Sequence, residues 1–500
     1  MVNFRNLDLK SISRKAMAQY GFEAEFPKDV IKEVNALDDH AKKKLAPNTV
    51  DLRNLLWSSI DNSDSEDLDQ IEYCEKGEAG EIHVKIAVAD VDTYVPKDSP
   101  ADKYARNNTT SVYAEVEIYP MLPDKLSKNL SSLLPDGDRL AMVTEYTVLT
   151  NGTVRPGHIY HAIVRNKAKL VYEEIGAWLE GTGPKPKLVG STEGLEAQLR
   201  LQDEAAQRLG KYRVARGALQ FNTLEAKAII EHDKVLALVV VEENKARNII
   251  ENFMVAANGV MSGFLDKADV PTIQRVVRIP KDWQGISAVA KSHGTRLPAT
   301  PDAKALSLFL QKEKLKDPER FPDLSLTIVK LLGFGEYVLF DKFQPRIGHF
   351  CLAVSGYTHG TAPNRRYVDL VIQRLLKSVL AKTKTPYKSL ELSEIAFQCT
   401  ERERASNKAE RFMRKVAAAM LMAGKIGQSF EGIITGANLH GTYVRLTAIP
   451  AEGCVIRGGE GLRVGQKVSV KLVNLDPTRG FIDFEKTTFW PDKRKKWRRR

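Results

Sequence analysis

Between Phe26 and Ala46 the chain reads FPKDVIKEVNALDDHAKKKLA, where Val30, Ile31, Val34 and Leu37 recur at helical spacing after a Pro-Lys-Asp start. That spacing predicts one helix within a Lys-rich first fifty residues. The pattern then changes. EIHVKIAVADVDTYVP (81–96) is a mostly apolar run of the kind found in a strand covered on both faces. TTSVYAEVEIYPMLPDKLSKNLSSLLP (109–135) starts strand-like and is broken by Pro120 and Pro123. RLAMVTEYTVLTNGTVRPGHIYHAIV (139–164) predicts a hairpin, with Asn151-Gly152 suited to a two-residue primed turn.

From Tyr172 the period becomes helical. YEEIGAWLEG (172–181), STEGLEAQLRLQDEAAQRLGKYRVARG (191–217) and the strongly apolar NKARNIIENFMVAANGVMSGFL (244–265) predict three helices. RRYVDLVIQRLLKSVLAKT (365–383) and CTERERASNKAERFMRKVAAAMLMAGK (399–425) predict two more. A mixed sheet followed by segregated helices indicates an α+β body. At Ile426 short strands spaced by Gly and Pro begin, and about sixty such residues fit a five-stranded OB barrel.

Composition narrows the partners. The 500 residues exceed one ordinary core, and a net charge of +12 with 43% hydrophobic residues describes a globular protein suited to a polyanion. The longest apolar run, Val235–Val241, is too short to span a bilayer, and the first fifteen residues lack the apolar core of a secretory signal. Cys74, Cys351, Cys399 and Cys454 lie far apart with no Cys-x-x-Cys pair, which fits reduced thiols in a cytoplasmic protein. The closing KRKKWRRR (493–500) is either solvated charge or an electrostatic arm for phosphates.

Against this basic background, SSIDNSDSEDLDQ (58–70) packs in Asp61, Asp64, Glu66, Asp67 and Asp69. Crowded carboxylates repel one another unless a cation sits among them. The stretch is either a solvated loop or a metal site. It lies between two strand-like segments, LLWSSI and IEYCE, and Asp67 and Asp69 are two apart, pointing the same way on extended backbone. A calcium loop starting at Asp61 would need Gly at its sixth position and has Glu66, so Mg²⁺ against a phosphate is the better match.

SIDNSDSEDLDQ resembles the Asp-x5-Asp-x-Asp-Asp signature of the RNase II/RNase R (RNB) exoribonucleases, with Gln70 in the fourth position. IAVADV, SVYAEVEIYPMLPDKLSKNLSSLLPDGDRLAM, KAKLVYEEI, IENFMVAAN and YTHGTAPNRRYVDLVIQRLL are similar to further blocks of that family in the same order. Residues 426–488 resemble its closing OB module, of the ribosomal protein S-one type. The resemblance implies a short form without the N-terminal cold-shock barrels. It comprises a short helical N-terminal region (1–50), a catalytic domain (51–415) in which helices surround a mixed sheet, the OB barrel (426–488) and a basic tail (489–500).

The resemblance also implies an activity: Mg²⁺-dependent, hydrolytic, processive 3′→5′ degradation of single-stranded RNA to nucleoside 5′-monophosphates. One or two ions would serve, with Mn²⁺ as a substitute, in a monomer. Asp61 and Asp67 would position metal or its waters, Gln70 would offer an amide oxygen, and Asp69 is the position most tied to catalysis. Arg365 matches the catalytic arginine, with Arg366 beside it. Tyr113, Tyr172 and Phe221 match ring contacts to bases or ribose. Tyr172 and the Glu251-Asn252 pair are candidates for the 2′-hydroxyl, although the family has two acids there. Glu410 matches an acid near the channel floor, and His359 is read as structural. The competing readings are a weak or inactive RNA-binding relative, because of Gln70, and a DNA-directed phosphoesterase.

Overall fold

A computed structural model describes residues 7–38, 48–135, 137–222, 225–231, 234–438 and 441–487. The basic tail and the second half of the predicted 26–46 helix lie outside them. The helix itself runs Lys28–Ala36 and buries Val30 and Val34; it ends before Leu37, whose backbone is already extended. A second helix, Leu9–Gln19, precedes it and is capped by Asp8 accepting from the Ser11 amide.

The body is built on six strands. Trp57–Asp61 lies between Gln70–Lys76, antiparallel, and Val154–Val171, parallel. Gln70–Lys76 continues to Ile82–Ala89 and then to Asp138–Val148, both antiparallel. Val154–Val171 is 18 residues long and pairs with both Trp57–Asp61 and Asp138–Val148, so the sheet curls back on itself. The two-residue strand Val50–Asp51 adds parallel to Val154–Val171. Helices Leu195–Ala215 and Lys245–Lys267 pack on one face, where Phe253, Ile249 and Leu199 join the buried core. This is the expected α+β body, and a closed five-stranded barrel from Ser429 to Lys486 follows it.

Two expectations need correction. The 81–96 strand stops at Ala89, because Asp90 turns to accept from Thr93 and to pair with Lys377 at 2.5 Å. The hairpin at Asn151-Gly152 is closed by three residues, not two: Leu149 donates to the Thr153 carbonyl at 3.0 Å, with Gly152 at φ +81°. A Cβ at Gly152 would lie 2.2 Å from the Arg208 carbonyl, so this left-handed position admits only glycine.

Several elements had no sequence expectation. Helices Trp283–Ser292, Ala303–Lys316 and Phe321–Leu332 form a satellite core. Strands Glu225–Glu231 and Lys234–Val241 form a two-stranded hairpin. The final body helix, Ser389–Leu421, begins ten residues before the predicted one. Its last turns, Ala417–Ala419, are buried against barrel residues Val444 and Phe484. No described helix is long and apolar enough to cross a membrane, and all four cysteines are free.

Candidate active site

Asp61 ends one central strand and Gln70 begins the next, so the acidic residues occupy the loop between two neighbouring strands. Serines from the 126–135 segment pin that loop. Ser132 Oγ donates to the Glu66 carbonyl (2.7 Å) and accepts from the Leu68 amide (2.9 Å). The Leu133 amide donates to the Leu68 carbonyl, and Ala89 to that of Asp69. Lys169, on the adjacent strand, donates to the Ser65 carbonyl.

The second wall is the turn before helix Tyr367–Leu380, which is anchored by charge. Arg374 is buried and donates to Asp92, Asp102 and the Val95 carbonyl, while Tyr367 donates to Asp102. Burial works against the Asp90 carboxylate, but Lys377 and His161 outweigh it and hold its pKa far below the usual range. This anchoring fixes where Asn364 and Arg365 sit.

Asp69 is 3% exposed; its Oδ1 accepts from the Asn364 amide at 3.0 Å and its Oδ2 from Arg365 Nε at 3.1 Å. Ser131 in turn donates to Asn364 Oδ1 at 2.6 Å, tying the turn to the serine segment. Burial pushes the Asp69 carboxyl up to about 7 despite Arg365, and neighbouring Asp67 adds repulsion. Asp61 is likewise pushed up to about 7 by burial, with Arg365 opposing and Asp67 reinforcing. Asp67 is raised mainly by burial. The three acids therefore share one electrostatic environment with one guanidinium.

Tyr113 belongs to the same cluster. Burial raises its hydroxyl pKa, and Arg365, Asp67, Asp69 and Glu410 all act on it. Its amide donates to Glu410 Oε1 at 3.1 Å, and Ser406 donates to the same oxygen. Tyr113 remains 40% exposed, and the Arg365 side chain 41%, so both reach solvent beside the buried Asp69 carboxylate.

Tyr172 begins helix Tyr172–Glu180 on the other side of Asp61, whose charge raises its hydroxyl pKa after burial. The Arg247 guanidinium lies 4.4 Å from its ring centroid and bonds Glu173 at 2.8 Å. Glu251 accepts from Arg213 at 2.7 Å. Asn252 is buried, donates to the Asn248 carbonyl, and leaves its Oδ1 without a partner.

The remaining candidates lie elsewhere. Arg366 grips Asp369 through two hydrogen bonds, 2.9 and 2.7 Å, and Asp369 is fully buried and also accepts from the Ala362 amide. That is an anchor for the turn. Phe221 packs against the satellite helices. His359 is half-buried with Nδ1 2.8 Å from the Tyr337 hydroxyl and its ring edge-on to Tyr337 and Tyr357; desolvation lowers its pKa and holds it neutral, as a structural residue. Gln70 is buried at the start of its strand.

Residues with no role assigned from sequence complete the geometry: Asn364, Ser131 and Ser132. The serines lie in a quoted block without any chemical signature of their own.

The donor set fits a hard divalent cation. Asp61 and Asp67 offer carboxylate oxygens, and Asp61 Oδ2 is buried with no hydrogen-bond partner. Among the described residues, no three His, Cys, Asp or Glu side chains converge as a ready-made metal cage. Two carboxylates completed by water and substrate oxygens are the arrangement Mg²⁺ commonly adopts.

Comparison with known proteins bears on the family and the fold. Residues 49–382 match the RNB domain, and residues 428–487 match the RNase II-type exonuclease C-terminal S1 domain. The chain is 29% identical to Ribonuclease R 1 of Lactococcus lactis over 94% of its own length and 60% of that protein. It is 30% identical to Ribonuclease R of Aquifex aeolicus over 93% of its length and 69% of the relative. The fold superposes on Mycoplasma genitalium RNase R, solved with ribose-methylated single-stranded RNA. The TM-score is 0.87 at 23% identity, covering 96% of this chain and 78% of that one.

Proposed function

The chain belongs to the RNB family, and from that premise we propose that it hydrolyses single-stranded RNA processively from the 3′ end, releasing nucleoside 5′-monophosphates. The observation that carries this reading is the Asp69–Arg365 pair. A buried carboxylate and a half-exposed guanidinium are locked together beside Asp61, Asp67 and Tyr113. Such a constellation has little use in a passive RNA groove.

Each residue then has a task. Asp61 and Asp67 would hold Mg²⁺, or Mn²⁺ in its place, with Gln70 lending an amide oxygen. When bound, the ion lowers the pKa of a water and neutralises charge at the scissile phosphate. Asp69 is fixed by two hydrogen bonds and orients Arg365. Nε of Arg365 is spent on Asp69, so its terminal nitrogens remain to meet charge developing on a phosphate. Tyr113 offers a ring for stacking on any base, which suits sequence-blind degradation. Tyr172 and Glu251 line the side where a ribose 2′-hydroxyl would distinguish RNA from DNA.

Gln70 favours one second reading: a relative that binds RNA without cutting it. Incubation of a ribo-oligonucleotide and a deoxy-oligonucleotide of the same sequence with protein and Mg²⁺, with chromatographic identification of products, separates the two. Nucleoside 5′-monophosphates from RNA alone are expected. Intact RNA with retained binding supports the second reading.

A further inference from the structure

Tyr172 is held in place by a residue that has no role in the reading above. Arg247 lies in the first turn of helix Lys245–Lys267, and its guanidinium is 4.4 Å from the Tyr172 ring centroid. Its Nη2 donates to Glu173 at 2.8 Å and, at 3.4 Å, to Asn62 Oδ1 in the acidic loop. One side chain therefore touches the ring, the residue after it and the chain neighbour of Asp61. The backbone is fixed from the same helix end. Asn244 accepts from the Arg247 amide and donates to the Tyr172 carbonyl at 3.2 Å. A Cβ at Gly176 would lie 2.4 Å from Asn244 Cγ, so the two helix starts are in close contact.

Helical spacing shows what else shares this face. Arg247, Glu251, Met254 and Asn258 follow one another at four, three and four residues and form one stripe. Asn258 Oδ1 accepts from the Gly360 amide, in the segment that leads to Arg365. The stripe runs from Tyr172 and the acidic loop, past Glu251, to the wall opposite. The ion pair with Glu173 does not by itself account for Arg247, because Glu173 is 62% exposed and such pairs contribute little. Arg247 Nε is also buried without a hydrogen-bond partner, so satisfying its own donors is not what sets its orientation. The ring contact is. A planar guanidinium can stack on an aromatic face while its edge donates to two acceptors, which an ammonium cannot do.

We propose that Arg247 is a positioning residue for sugar selection: it clamps the Tyr172 ring to the acidic loop, so that the ribose contact and the loop beside Asp61 keep one register. This rests on the reading of Tyr172 as a ribose contact, and the test separates the two.

Equilibrium binding to the full chain in EDTA compares a ribo-oligonucleotide with the same sequence carrying 2′-deoxyribose in its 3′-terminal nucleotides. The ratio of the two dissociation constants measures sugar discrimination whether or not RNA is cut. Arg247→Met keeps the apolar stem, and Arg247→Lys keeps the charge. Both are expected to lower the ratio by about tenfold, chiefly through weaker binding of the ribo-oligonucleotide. Tyr172→Leu should lower it as well, and its loss should not add to that of Arg247→Met, because both remove one contact. Thermal unfolding guards against a folding defect, and Arg247→Lys carries the test if Arg247→Met melts early. Equal weakening of both oligonucleotides, additive losses, or an unchanged ratio in the Arg247 variants while Tyr172→Leu loses discrimination overturns the clamp and leaves the Tyr172 reading standing. An unchanged ratio in Tyr172→Leu, or no discrimination by the unaltered chain, overturns both.

Discussion

Arg365 Nε donates to Asp69 Oδ2 at 3.1 Å, joining residues 296 positions apart into an ion pair that links the acidic loop to the turn opposite. Asp69 is buried and cannot exchange this partner for water, whereas the rest of the guanidinium faces outward. The pair therefore orders the site and leaves donors free for substrate.

Arg365→Ala should lower single-turnover RNA cleavage by about 100- to 1000-fold, the usual cost of one preorganised donor to a developing oxyanion. Arg365→Lys keeps the charge but loses the fork, so it should recover only a small part of that rate. Rates at saturating protein, compared with RNA binding by gel shift, check both. Equal losses in rate and binding would instead mark Arg365 as a general RNA contact.

Arg366 should behave differently from its neighbour. Its bidentate bond to the fully buried Asp369 makes Arg366→Ala a stability defect, since it strands a buried charge at a cost of about 3–5 kcal/mol. Denaturant unfolding should show the loss directly. An unaltered midpoint with reduced cleavage would place Arg366 in catalysis instead.

The fold was readable where hydrophobic period was strong, as in Lys245–Lys267 and Tyr172–Glu180. It was not readable in Leu9–Gln19, whose buried face is Leu9, Ser13, Ala16 and Met17, too small and polar to stand out. The site was half legible. Asp61, Asp67, Asp69, Arg365 and Tyr113 are chemically conspicuous or motif-bound, and the structure brings them together. Asn364, Ser131 and Ser132 act through a backbone amide and carbonyl contacts that composition cannot reveal. Phe221 was placed by resemblance alone, and the structure seats it in the satellite core.

Tyr113 should act through its ring. Tyr113→Phe is expected to leave the final undegraded fragment unchanged. Tyr113→Ala should lengthen it and weaken the 3′ end's grip by about 1–3 kcal/mol, the worth of one base stack. Sequencing gels of end products, with binding isotherms for a non-cleavable RNA, would read both effects.

The raised carboxyls give a pH dependence of definite sign. Burial carries Asp61 and Asp69 from 3.8 to about 7, so the metal-free fold favours their protonated forms. That stability is fully present below about pH 4 and lost as pH rises through 7. A divalent cation requires the ionised forms, so its stabilisation must grow over the same interval. Thermal unfolding with EDTA or excess Mg²⁺ at pH 5.5 and 8 should show a larger Mg²⁺-induced rise at pH 8. Equal rises at both values would mean that these acids do not hold the ion.

The most direct measurement follows a 5′-labelled single-stranded RNA of about thirty nucleotides, long enough to fill one groove several times. It is sampled over time with Mg²⁺, beside an Asp69→Asn variant and an EDTA control. Stepwise shortening to one small end product, abolished in both controls, is the predicted result. Full-length RNA in every lane, with binding intact, would contradict the assignment of Asp69 and Arg365 to catalysis.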